Sequence, residues 1–133
     1  MKKIITNIKN LIFKPEGLED TYTPNDINAK FLLMYKNIAV GELTLLEGIW
    51  EFKYTPMFKK QKEVLPIVDF PDVDQIYKRN HLWPFFISRI PGLGQPEVKR
   101  VINNENINKN SEFELLKRFG FKSISNPFTL QLT

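Results

Sequence analysis

The chain has 133 residues, a formal net charge of +4, 42% hydrophobic and 26% charged residues, the proportions of one soluble globular domain rather than a disordered or fibrous chain. It has no cysteine, which excludes disulfides and thiol catalysis and agrees with a reducing, cytoplasmic setting. No stretch approaches the roughly 20 apolar residues of a membrane-spanning helix, and no small-residue cleavage site follows Met1-Lys2-Lys3-Ile4-Ile5 to make a signal peptide.

Ile4, Ile5, Ile8, Leu11 and Ile12 recur at helical spacing, with Lys2, Lys3, Lys9 and Lys14 on the other side. This predicts an amphipathic N-terminal helix folded onto its own domain, since a stable membrane-surface helix carries more apolar area. Residues 14 to 29 contain two prolines, a glycine and several Asp, Asn and Thr, and read as a linker with a turn at Thr23-Pro24-Asn25-Asp26. The expected division is therefore 1–29, helix and linker, and 30–133, a folded domain.

Phe31 to Tyr35 reads as a strand ending in a turn at Lys36-Asn37. A second strand runs from Ile38 to Leu46, with a bend or bulge expected at Gly41. The pair Glu47-Gly48 turns the chain into a third strand, Ile49 to Tyr54. Its alternation puts Trp50, Phe52 and Tyr54 on one face and Glu51 and Lys53 on the other, as a half-buried antiparallel strand requires. Lys59, Lys60 and Lys62 form a small basic cluster, read as a solvated loop. Leu65 to Phe70 is an apolar run interrupted by Pro66, which places it at a sheet edge or a strand end.

Residues 81 to 93 are the most apolar stretch. Pro84 suits the first turn of a helix and Pro91-Gly92 stops it. On that helix Leu82, Phe85, Phe86 and Ile90 share one face, while Trp83 and Ile87 lie further round and need a second surface. Pro96 and Glu97 open another helix, with Val98, Val101 and Ile102 as its stripe. Ser111-Glu112-Phe113-Glu114 has the form of a capping box, followed by Leu115, Leu116, Phe119 and an exit at Gly120. The tail from Phe128 to Leu132 alternates and is expected to return to the sheet. The pieces add up to an α+β fold, a small twisted antiparallel sheet with three or four short helices packed on it.

Chemistry is scarce. His81 is the one histidine, and it opens the aromatic stretch as a surface or helix-start residue rather than a catalytic base. Asp69, Asp72 and Asp74 gather three carboxylates, but Pro71 breaks the geometry and the glycine and distal glutamate of a calcium loop are missing. They read as a polar loop capping the next helix. Gly92-Leu93-Gly94 imitates a phosphate loop, yet Glu97 stands at the third glycine position, where its charge repels phosphate. No catalytic residue, metal ligand or cofactor site is expected. Aromatic content of 13% with eleven phenylalanines points instead to an aromatic core or interface.

The order of these pieces resembles the HipA N-terminal domain family. Val40-Gly41-Glu42-Leu43 followed by Trp50 to Thr55 matches the family's opening hairpin. Leu65-Pro66, Phe85-Phe86, Ile90-Pro91-Gly92 and Phe113 to Gly120 follow in the family's order, over residues 31 to 132. Ser88-Arg89-Ile90-Pro91-Gly92-Leu93 departs from the family's usual asparagine–leucine–leucine–proline–glutamate–glycine. The resemblance implies a non-catalytic regulatory, antitoxin-like subunit that binds a separately encoded HipA-like serine/threonine kinase core, in bacterial systems that include a helix-turn-helix DNA-binding protein. The kinase's ATP loop and catalytic aspartates lie outside the region of resemblance, so no catalytic position is carried over. Candidate partner-interface residues are Tyr54, Phe58, Trp83, Arg89 and Pro91. The alternative is a basic protein- or nucleic-acid-binding module unrelated to kinases, for which the positive net charge is the motive.

Overall fold

A computed structural model describes Leu18 and residues 21–133; the expected helix near residues 4–12 lies outside the described residues. Five strands form one open antiparallel sheet: β1 (Ala29–Tyr35), β2 (Ile38–Leu46), β3 (Ile49–Tyr54), β4 (Tyr77–Arg79) and β5 (Thr129–Leu132), in the order β4-β3-β2-β1-β5. Four helices accompany them among the described residues: α1 (Pro56–Lys60), α2 (Pro84–Ile87), α3 (Pro96–Asn104) and α4 (Glu112–Phe119). The α+β architecture expected from the sequence is the one observed.

The two hairpins turn where the sequence places them. Glu47 and Gly48 both have positive φ, 50° and 77°, the backbone that matches a two-residue turn to the right-handed twist of its strands. The first hairpin carries a bulge. Leu33 pairs with Gly41 and Met34 with Ala39, which leaves Val40 as the extra residue, and its carbonyl accepts from Thr55 N–H at 3.0 Å. At the neighbouring position a Cβ on Gly41 would lie 2.4 Å from Cζ of Phe52. Glycine is needed there because an aromatic ring lies against the backbone.

One face of the sheet is buried. Phe31, Leu33, Leu43, Leu45, Trp50 and Phe52 lie under the helices, with Phe113 of α4 against Phe31 (ring centroids 6.2 Å apart) and Phe86 of α2 against Phe52 (5.8 Å). The other face is open, crossed by the ion pairs Lys30–Glu42 at 3.0 Å and Lys78–Glu51 at 3.6 Å. This is the alternation read in β3, extended over the whole sheet.

Four places differ from the sequence reading. Lys59 and Lys60, expected in a solvated loop, form the last turn of α1, which Thr55 caps through Phe58 N–H at 3.1 Å. Leu18 and residues 21–29 of the expected linker are part of the fold: Leu18 is fully buried, and Tyr22 bridges to Ser111 with N–H···O bonds of 2.7 and 2.9 Å to the chain around it. The run 65–70 is a loop, and the strand on that edge is β4, paired through Trp50–Arg79 and Phe52–Tyr77. Finally, α2 is a single turn, too short for a face to be defined by helical spacing. Trp83 and Ile87 are buried while Phe85 is half-exposed, because sheet, loop and tail enclose the turn from several sides.

Candidate functional site

The 61–76 loop is anchored by one residue of β3. Tyr54 is buried, and its hydroxyl donates to Phe70 O at 2.7 Å and accepts from Ile67 N–H at 2.9 Å. Burial pushes this phenol up to about 12, so it stays a neutral donor–acceptor at any physiological pH. Gln61 closes the start of the loop by bonding both N–H and C=O of Val64, at 2.8 and 2.9 Å. The loop is thereby held from beneath while Leu65 and Val68 face outward, 78% and 92% exposed.

Asp69, at the end of this loop, accepts from Phe85 N–H at 2.8 Å through Oδ2. Trp83, the N-cap of α2, makes no side-chain capping bond, so the aspartate from the loop satisfies that helix end. Of the three clustered carboxylates, Asp72 accepts from Asp74 N–H and Asp74 pairs with Lys59 at 3.4 Å. Among the described residues no group of three His, Cys, Asp or Glu could hold a metal ion. No helix among them is long and apolar enough to cross a membrane.

Arg89 ties the tail to α2. Its Nε donates to Gly120 O (2.5 Å), one terminal nitrogen to Phe121 O and Phe128 O (3.0 and 2.6 Å), and the other to Asn126 Oδ1 (3.2 Å). The side chain is buried with no ion pair among the described residues, and desolvation lowers its guanidinium to about 10. Four carbonyl-type acceptors compensate a charge that no carboxylate meets. The result places Phe128 beside Phe85, ring centroids 5.6 Å apart. Leu65, Val68, Phe85 and Phe128 then line an open apolar groove of about 360 Å³, with Asp69 and Asn126 among its walls.

A second polar cluster lies under the opposite end of the sheet. Glu112 is fully buried. Its Oε1 receives Trp50 Nε1–H (3.3 Å), Leu82 N–H (3.3 Å) and the Thr23 hydroxyl (2.5 Å). Its Oε2 lies 3.6 Å from His81 Nδ1, and neither atom makes a hydrogen bond among the described residues. Burial pushes the carboxyl up, but His81, Thr23 and Leu82 outweigh that and hold it below its usual range. His81 therefore serves a buried carboxylate. This cluster fastens the 21–23 segment to α4 and is structural.

Four of the five interface candidates lie in the interior. Phe58 stacks on Tyr54 with centroids 4.6 Å apart, Trp83 meets Phe70 edge-on at 5.0 Å, and Tyr54 and Arg89 hold the loop and the tail. Pro91 is half-exposed. Most of the aromatic surplus fills the core, and the exposed large apolar side chains are mainly aliphatic, with Tyr22 and Phe121 the aromatic exceptions. Leu65 and Val68 were missed because a short apolar run reads as buried; Pro66 and Asp69, which break any period-2 pattern, were the signal of a loop.

The model of the HipA N-terminal domain matches residues 32–124. The chain belongs to this family. A search of curated proteins found no match. The HipA match runs from the middle of β1 through α4 and the groove loop, and stops before Asn126, Phe128 and β5. The HipA N-terminal domain is the non-kinase part of HipA, and the buried polar groups Arg89 and Glu112 are occupied with holding the fold.

Proposed function

We propose that this protein is a non-catalytic regulatory subunit, antitoxin-like, that binds a separately encoded HipA-like serine/threonine kinase in the bacterial cytoplasm, in company with a helix-turn-helix DNA-binding protein. The family match over residues 32–124 carries this reading. Support comes from the use of the polar interior: its charged side chains are consumed by capping and clamping, and exposed aliphatic side chains remain for a partner. The nucleic-acid alternative has less behind it, because Lys30, Lys59 and Lys78 are each paired with a carboxylate rather than gathered into a basic stripe.

The test is co-expression with the HipA-like kinase core. A stable complex on size exclusion, and relief of kinase-imposed growth arrest, are the expected results. Separate elution at micromolar concentrations with undiminished arrest overturns the reading.

A further inference from the structure

The apolar groove has features that select its occupant. Leu65 and Val68 stay exposed on a loop whose backbone is fixed by the Tyr54 hydroxyl at Ile67 and Phe70, so little ordering cost remains when something covers them. Two polar side chains interrupt the apolar walls, and each has half its capacity spent. Asp69 Oδ2 holds the Phe85 N–H, and Oδ1 makes no hydrogen bond among the described residues. Asn126 Oδ1 accepts from both Arg89 and Phe128 N–H, at 3.2 and 3.1 Å. Two donors converging on one atom fix the amide's orientation and leave its N–H₂ without a partner among the described residues. The guanidinium behind it polarises that amide and strengthens it as a donor.

One acceptor and one donor set among aliphatic and aromatic walls match an extended polypeptide. Its main chain offers N–H and C=O groups along the strand, and alternate side chains point into the surface. A purely apolar ligand would leave both polar groups unpaired under cover, which is costly. We infer that the groove receives an extended apolar segment of the kinase partner, its side chains against Leu65, Val68 and Phe85 and its main chain paired with Asn126 and Asp69. This rests on the kinase-binding reading.

Calorimetric titration of the purified kinase core into variants of the full chain tests it. Val68→Asp puts a charge in the groove from an exposed position and is expected to weaken binding about tenfold or more. Asn126→Asp keeps the oxygen that serves Arg89 and Phe128 and replaces only the N–H₂. It is expected to weaken binding about fivefold with no fall in melting temperature. Leu46→Asp, on the open sheet face, is expected to bind as wild type. A wild-type chain that fails to bind overturns the functional reading and this inference together. A wild-type chain that binds, with Val68→Asp equal to it or Leu46→Asp equally weakened, overturns the groove alone. Full binding by Asn126→Asp overturns the main-chain pairing.

Discussion

Glu112 shows how much one buried carboxylate holds in place. Through Oε1 it joins β3 at Trp50, the approach to α2 at Leu82 and the 21–23 segment at Thr23, three parts of the chain that share no backbone pairing with one another. In the sequence it looked like an ordinary first-turn acidic residue of a capping box. The box itself is half-made: Ser111 Oγ accepts from Glu114 N–H at 3.3 Å, but the Glu114 carboxylate turns to Asn108 N–H at 3.0 Å. Nothing in the local pattern could distinguish the buried glutamate from the exposed one, because what buries Glu112 arrives from 30 to 89 residues away. Its titration is testable. The carboxyl sits below its usual 4.5 in the folded chain, so on acidification the unfolded chain takes up the proton first. The stability it contributes is full above the unfolded value and is lost as pH falls through the folded one. Glu112→Gln is expected to cost about 1–3 kcal/mol near neutrality, where the wild type keeps its charge-assisted bonds. In urea denaturation the gap between the two proteins should narrow as pH falls below the usual carboxylate value of 4.5. A gap of constant size between about pH 7 and pH 3 would show that the charge contributes nothing.

At the level of elements, strong local patterns survived and short or nonlocal ones did not. The β1–β2–β3 meander was legible because alternation and turn chemistry agree over more than twenty positions, and the bulge fell next to the glycine that marked it. β4 was not legible. Tyr77-Lys78-Arg79 has no apolar alternation and becomes a strand because the edge of β3 offers it partners. The 65–70 run was also misjudged, for its conformation depends on a tyrosine contributed by β3. Removing that hydroxyl separates its two roles. Tyr54→Phe keeps the ring in the core but orphans Ile67 N–H and Phe70 O, at a cost of about 1–3 kcal/mol. The expected outcome is faster amide exchange across residues 65–70 with the remainder of the sheet protected; under the proposed kinase-binding role, binding also weakens, since the groove wall loses its preorganisation. Unchanged exchange in this loop would mean that Gln61 and Asp69 suffice to hold it.

On the scale of the molecule, the domain is larger than the part that the family pattern covers. Residues 32–124 contain the hairpins, α1 to α4 and the groove loop. Leu18 and Phe31 lie before that span and Leu130 after it, and all three are buried in the common core. β5 closes the edge of β1 through Phe31–Leu132 to Met34–Thr129, and the tail supplies two of the acceptors that satisfy Arg89, at Asn126 and Phe128. The candidate site has the same character. One wall, Leu65 to Phe85, lies within the recognisable pattern, and the other, Asn126 to Phe128, lies outside it and becomes part of the site only through the Arg89 clamp. Burying three large apolar side chains contributes about 5–9 kcal/mol, comparable with the whole stability of a typical domain at about 5–15 kcal/mol. A fragment trimmed to residues 32–124 is therefore expected to lack a cooperative unfolding transition and to expose an unpaired β1 edge that promotes aggregation. The full chain should unfold in one step. Circular dichroism through a urea titration of the two proteins decides the matter, and a fragment that unfolds with the midpoint and slope of the full chain would show that the flanking segments only decorate an independent core.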